Sequence, residues 1–261
     1  MLENNQHIKL ENSLKIISLV PSQTELLYYL GLEEEVVGIT KFCVHPNHWF
    51  KSKTRVGGTK NIDFNKIKLL QPNLIIANKE ENVKEQIEEL QQYFNVIVTD
   101  VNNVEESYEM ISTIGELTNT ATKATQLIQQ IKECFSQLKL AYKNTVRPSV
   151  CYLIWKEPYM TIGGDTFIND ILNWAGFKNV FEQKNRYPQI SLEELEKLQP
   201  DYIFLSSEPY PFKEQHKQEL LKNHPTIQSK IILVDGEMFS WYGSRLLQSS
   251  NYLKKLILEL P

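Results

Sequence analysis

Cysteine is scarce in this chain. Cys43, Cys134 and Cys151 are all that 261 residues contain, an odd number with no CxxC spacing, so neither a disulfide framework nor a thiolate zinc site is indicated. Clustered positive charge is also missing: 28 Lys and Arg stand against 32 Asp and Glu, for a formal net charge of −4, with no basic block. Phosphate backbones require clustered cations, so nucleic acid is not an expected partner. No apolar run is long enough to span a bilayer, and the opening residues MLENNQHIKL have neither the cationic region nor the apolar core of an export signal. The expectation is a cytoplasmic chain unless a leader has been removed. G-x-S-x-G, Walker A and G-x-G-x-x-G are absent too, and Gly57-Gly58 and Gly163-Gly164 read as turns rather than phosphate cradles. No catalytic set is found.

Glycine and proline are absent between Gly115 and Pro148, and that stretch organises the rest. Ala121, Ala124, Ile128, Ile131, Phe135, Leu138 and Tyr142 recur at three- and four-residue steps, the spacing of one helix face. Asn119 and Thr120 can cap the start, and Pro148 limits the end. The spacing predicts one long helix over 120–142.

The sequence on either side of that helix repeats. IDFNKIKLLQPNLI at 62–75 aligns without gaps on ISLEELEKLQPDYI at 190–203. In each copy a capping Asp63 or Ser191 opens a short helix, Pro72 or Pro200 follows it, and an apolar β-rich run comes next. Strand and helix alternate around both copies. Residues 15–20 form an apolar run stopped by Pro21, Ser22 and Glu25 read as a capping box, and Gly31 ends that helix. Extended segments at 36–40 and 55–58 enclose a loop, 41–50, rich in aromatics and imidazoles. Strand 74–77, helix 82–93, strand 96–99 and helix 104–117 complete the first half. The second half reads as strand 150–155, a turn at 163–164, helix 166–174, an aromatic loop at 181–187, the second repeat copy, strand 202–205, helix 213–222, strand 231–234 and helix 244–260.

The fold class expected is α/β: two doubly wound lobes with mostly parallel sheets, joined by a single long α-helix, with a ligand cleft between the lobes. The boundaries read as a tail at 1–14, an N-terminal lobe at 15–118, the connecting helix at 119–145 and a C-terminal lobe at 146–261. In such sheets ligands meet the carboxyl ends of the strands. The junction Pro21-Ser22 lies at one such end, and the other loops there carry Phe42, His45, Trp49, Trp155, Tyr159, Tyr187, Phe239, Trp241 and Tyr242. Aromatic walls suit a flat, mostly apolar ligand, although any one of these rings could equally belong to a core. His45 and His48 flank Pro46 in the loop without a carboxylate partner, which leaves loop or core roles open beside one more specific one: His45 as axial ligand to a metal already held by an organic chelator.

These segments resemble the substrate-binding proteins of ABC importers for cobalamin and ferric siderophores. The resemblance rests on SLVPSQTE at 18–25, VGG at 56–58, LQPNLI at 70–75, YPQISLE at 187–193 and LVDG at 233–236, in order from about Lys15 onward. It implies two α/β lobes joined by one long helix and a non-enzymatic receptor for a metal chelate such as a corrinoid, a ferric siderophore or haem. It places Phe42, Tyr159, Tyr187 and the loop from Glu237 to Trp241 against the ligand, while the tryptophan such proteins carry after the third strand falls on Thr59. It also implies docking to importer membrane subunits through one carboxylate per lobe: Glu193 in the second, and in the first a position that falls on Asn65, with Asp63 close by. Arg55, Lys60, Arg186 and Arg245 could complement an acidic ligand. The chain is expected to be a monomer that needs no cofactor. A second reading is a cytosolic metal-handling or chelatase-like enzyme using His45, Asp165 and Glu237, and a third is capture of a bare divalent ion.

Overall fold

The computed structural model describes residues 14–141 and 147–260. The predicted tail, except for Leu14, and Tyr142 of the long helix lie outside the described residues.

The chain begins with β1 (Ile16–Ser18), α1 (Pro21–Leu30), β2 (Val36–Ile39), α2 (Asn47–Ser52), β3 (Thr54–Arg55), α3 (Phe64–Leu70) and β4 (Leu74–Asn78). It continues with α4 (Lys84–Gln91), β5 (Val96–Thr99), α5 (Val104–Leu117) and α6 (Ala121–Ala141). After these come β6 (Ser149–Leu153), α7 (Phe167–Trp174), β7 (Lys178–Asn179), α8 (Leu192–Leu198), β8 (Tyr202–Ser206), α9 (Glu214–Asn223), β9 (Lys230–Val234), α10 (Glu237–Ser240) and α11 (Leu246–Glu259).

The strands make two wholly parallel sheets, ordered β3-β2-β1-β4-β5 and β7-β6-β8-β9. The α/β class expected from the alternation is therefore the fold observed. Contacts divide the chain into two units. Unit one holds the first sheet with Glu105–Gln129 and Tyr242–Arg245, and unit two holds the second sheet with Asn102–Val104, Gln130–Trp241 and Leu246 onward.

Each sheet is buried on both faces, which is why its central strands read as continuous apolar runs. In unit one Ile17 and Leu19 of the first run join Ile75 and Ala77 in a core with Val56, Ile62, Ile67, Ile87 and Leu90. In unit two Cys151, Leu153, Ile203 and Leu205 do the same with Phe181, Leu195, Phe212 and Ile231. The long helix α6 buries Ala124, Leu127, Ile131, Phe135 and Leu138. The predicted face is thus right in direction but rotated at its start, with Leu127 inside, Ile128 half-buried and Ala121 exposed.

Local chemistry explains most of the ends. Asp63 Oδ1 accepts a hydrogen bond from Lys66 N at 3.1 Å and Ser191 Oγ one from Glu194 N at 3.1 Å, so both repeat copies are capped as the sequence predicts. Gly31 closes α1 at φ 86°. Two expectations need correction, and two short elements were not anticipated. Ser22 is not the cap of α1: Pro21 occupies the first turn after Val20, whose side chain cannot cap, and Glu25 instead binds Arg245. The loop at 41–50 is interrupted by α2, which starts after Pro46 and carries His48 and Trp49. The short helix α10 and the edge strand β7 were not read from the sequence, because neither is long enough to display a period.

Candidate functional site

In unit one the chain winds outward through β1, β2 and β3, then returns to place β4 and β5 on the other side of β1. The order reverses between β1 and β4, and in an open parallel sheet the carboxyl ends beside such a reversal are where ligands bind. Buried polar groups fill the base of this end. Thr24 Oγ1 lies 2.8 Å from Ser18 Oγ and 3.1 Å from Cys43 Sγ, and Thr40 Oγ1 is also 3.1 Å from that sulfur. Burial pushes the Cys43 thiol up, so it stays protonated and serves as packing rather than as a metal-binding thiolate. Gln23 Nε2 donates to Thr99 Oγ1 at 2.5 Å and reaches the Tyr242 hydroxyl at 3.5 Å. Tyr242 is therefore a core residue, its phenol raised by burial.

The turn after β4 is tied down on several sides. Asn82 Nδ2 donates to the carbonyls of Leu19 at 3.3 Å and Thr59 at 3.0 Å, while its Oδ1 accepts from Asn78 N at 2.8 Å. Asn78 Oδ1 in turn accepts from Glu80 N and Glu81 N at 2.9 and 3.1 Å. The ends of β1, β3 and β4 are thus fastened together through two asparagines, with Glu81 at the edge. Gly57, in the turn after β3, sits at φ 102°, and a Cβ there would come within 2.5 Å of Asn61 O. Only glycine fits this turn without displacing the backbone.

Several predicted residues of unit one face outward. Phe42 is 50% exposed, with Lys41 Nζ 5.1 Å from its ring centroid. His45 and Pro21 are half-buried. Ser22 and Thr59 are buried, and Thr59 contributes its carbonyl to the Asn82 clamp. Arg245 is only 5% exposed and its Nε donates to Glu25 Oε2 at 2.9 Å, so its charge is balanced inside the unit. Trp49 is fully buried, and its Nε1 donates to Glu33 Oε2 at 2.7 Å, which also lies 3.4 Å from His48 Nε2. Arg55 stacks 4.7 Å from the Phe50 ring. Asp63 is engaged as the cap of α3, and Asn65 is exposed one turn along.

In unit two the order reverses between β6 and β8. Trp155, at the end of β6, is 40% exposed and meets the edge of Tyr210 at 5.7 Å. Tyr159 is half-buried against the core, and Tyr187 is half-buried under the Arg186 guanidinium at 5.5 Å. Arg186 Nη1 also donates to Asn102 Oδ1 at 3.2 Å, and Asp165 Oδ1 accepts from Arg186 N at 2.5 Å. Phe239 is 0% exposed, packed on Tyr152, Phe204 and Tyr252, and has no surface to offer a ligand. Trp241 is 8% exposed and its Nε1 donates to Glu208 Oε1 at 3.0 Å. Glu237 opens α10 on the wall of an open cavity of about 560 Å³, with Ser207, Glu208, Phe212 and Asp235. Glu193 is exposed in the first turn of α8, where backbone N–H and Ser191 bonds hold its carboxyl below the usual range.

Among the described residues no cluster of three or more His, Cys, Asp or Glu is arranged to hold a metal ion, and no helix is long and apolar enough to cross a membrane. Asn78, Asn82 and Glu208 went unread in the sequence. Asparagines four positions apart around a strand end were the available signal for the first two.

Residues 16–229 match the sequence profile of the periplasmic binding proteins. The chain belongs to the periplasmic binding protein family. Among relatives, it is 28% identical over 258 residues to the uncharacterized ABC transporter substrate-binding lipoprotein YvrC of Bacillus subtilis, covering 93% of this chain and 79% of that one. It is 25% identical over 194 residues to the vitamin B12-binding protein of Vibrio parahaemolyticus, covering 74% of this chain and 70% of the relative. The fold is similar to the crystal structure of a possible iron-binding, periplasmic solute-binding protein from Staphylococcus epidermidis, with a TM-score of 0.81, 25% identity and coverage of 94% and 98% of the two chains. Family membership accounts for the paired parallel sheets.

Proposed function

We propose that this chain is a solute-binding protein of an ABC-type importer that captures a metal chelate, such as a corrinoid, a ferric siderophore or haem, and binds it without turnover. The observation that carries this reading is the pair of exposed aromatic rings at the carboxyl ends of the strands, Phe42 at 50% and Trp155 at 40% exposure. Exposed rings of that size are costly in water and give a planar chelate large contact area with few torsions to freeze. Tyr159 and Tyr187 add aromatic surface at the strand ends of unit two, and Pro21, Ser22 and Thr59 lie at the strand ends of unit one. Membership in a family of binding proteins, with relatives named for vitamin B12 and iron, supports the ligand class.

The protein works as a monomer in the cell envelope, delivering its ligand to a membrane subunit. Glu193 is the transporter contact of unit two, and the Asp63–Asn65 turn is that of unit one. The test is titration of the purified chain with cyanocobalamin, haemin and a ferric hydroxamate while tryptophan fluorescence is followed. Saturable quenching by one of the three, reduced about tenfold or more in affinity by Trp155→Ala, is the expected result. Silence toward all three overturns it.

A further inference from the structure

Glu81 is half-buried three residues beyond the end of β4, beside the point where the strand order of unit one reverses. Its backbone N–H is held by Asn78 Oδ1 at 3.1 Å, and the neighbouring Asn82 is bonded to the segments after β1 and β3. The side chain therefore leaves a fixed turn. Among the described residues its carboxylate makes no hydrogen bond and no ion pair, whereas Glu25 of the same unit is matched by Arg245.

We propose that Glu81 is a specificity-determining residue of the chelate site, accepting hydrogen bonds from an N–H-bearing or cationic edge of the ligand and disfavouring ligands that present carboxylates there. The assignment rests on the receptor reading above. Cys43, Tyr242 and Lys60 of unit one lie within electrostatic range of the carboxylate. Cys43 and Tyr242 are buried and uncharged, and burial outweighs the attraction of Lys60, so the Glu81 carboxyl is raised above its ordinary value. Lys60 Nζ donates to Glu80 O at 2.5 Å, which holds its charge at the backbone of the turn. A carboxylate that has lost water without gaining a donor is stabilised by a ligand that brings one, and repels a ligand that brings a second negative charge.

The matching turn of unit two shows the alternative. There Glu208 Oε1 accepts from Ser240 Oγ at 2.5 Å and from Trp241 Nε1 at 3.0 Å, so that acid is satisfied by its own unit.

The experiment compares the full chain with Glu81→Gln and Glu81→Lys by calorimetric titration against cyanocobalamin, whose rim carries amides, ferrioxamine B, a cationic ferric hydroxamate, and haemin, which carries two carboxylates. The wild type is expected to prefer one of the first two over haemin. Glu81→Lys should shift that preference toward haemin by about tenfold or more, and Glu81→Gln by a smaller factor in the same direction. Should the lysine variant fail to fold, the isosteric glutamine variant decides. Wild-type binding with a ratio unchanged within twofold in the glutamine variant, or a wild-type preference for haemin, overturns the role of Glu81 alone. Absence of wild-type binding to all three overturns the receptor reading and this assignment together.

Discussion

The two repeat copies, 62–75 in unit one and 190–203 in unit two, invite comparison position by position. Asp63 and Ser191 cap the helices in the same way, and Gln71 and Gln199 end them in the left-handed region at φ 49° and 41°. Ile75 pairs with Ile17 and Ile203 with Cys151 at the centre of each sheet. The copies part where charge enters. Asn73 Oδ1 accepts from Lys15 N at 2.8 Å and, in the corresponding place, Asp201 Oδ2 accepts from Ser149 N at 2.7 Å: the same clamp at the start of the first strand, neutral in one unit and ionised in the other. They part again in the turns beyond the strands, where Glu208, in register with Glu80, is bound within its unit, while the Glu81 carboxylate one residue further along is not. Framework positions keep their geometry under any side chain that can make the bond, while the outward side chains of the strand-end turns are freer to diverge because the ladder hydrogen bonds of the sheet do not pass through them.

The largest effect expected from breaking the equivalence comes from the central isoleucines. Ile75→Ala and Ile203→Ala, both at fully buried positions, should each cost about 2–5 kcal/mol, read from urea denaturation. Costs that differ by more than the cavity term allows would show that the two cores are packed to different standards. Next is Glu208→Ala, which removes a charged acceptor from Ser240 and Trp241 and should cost about 1.5–3 kcal/mol, with a red shift of tryptophan emission as the Trp241 pocket opens. An unchanged spectrum would mean that Trp241 does not depend on this acid. Loss of the caps is smaller: Asp63→Ala and Ser191→Ala should each destabilise by about 0.5–2 kcal/mol in the same assay, and near-equal values would confirm equal roles.

The smallest effect is the one that separates the copies by pH. The Ser149 hydroxyl and N–H hold the Asp201 carboxyl below its ordinary 3.8. Its folded value lies under its unfolded one, so its contribution is complete above the unfolded value and is lost as pH falls through the folded one. Amide exchange at Ser149 should accelerate in that acid range relative to the wild-type trend at Lys15, whose partner Asn73 does not titrate. Asp201→Asn should abolish the difference, and an acid response that survives the substitution would place its origin elsewhere.

Legibility followed length and period. The bounds of α5 and β5 were read as observed, and the face of α6 was read to within one residue per turn, because long periodic segments average out local noise. The loop at 41–50 misled because Pro46 reads as a breaker, although proline is well suited to the entry of a helix such as α2. Among site residues, the aromatic content of the strand-end loops was plain, but whether a ring ends inside or outside was not. Phe42 and Phe239 are equally apolar, yet one is half-exposed and the other enclosed by Tyr152, Phe204 and Tyr252. Glu81 could not be found at all, since a lone glutamate before a helix is indistinguishable from a solvated one until its surroundings are known.

By itself the order of residues determined the alternation of strand and helix, the repeat with its caps, and the burial of both faces of each sheet, since those follow from short-range spacing and from the cost of exposing apolar runs to water. Only the folded chain decided which acids are paired and which rings remain at the surface. Those outcomes depend on neighbours brought from far along the chain: Glu25 meets Arg245, and Gln23 meets Tyr242. No local pattern encodes such a meeting, because it is the closing of the sheets, each in its own order, that brings the partners together.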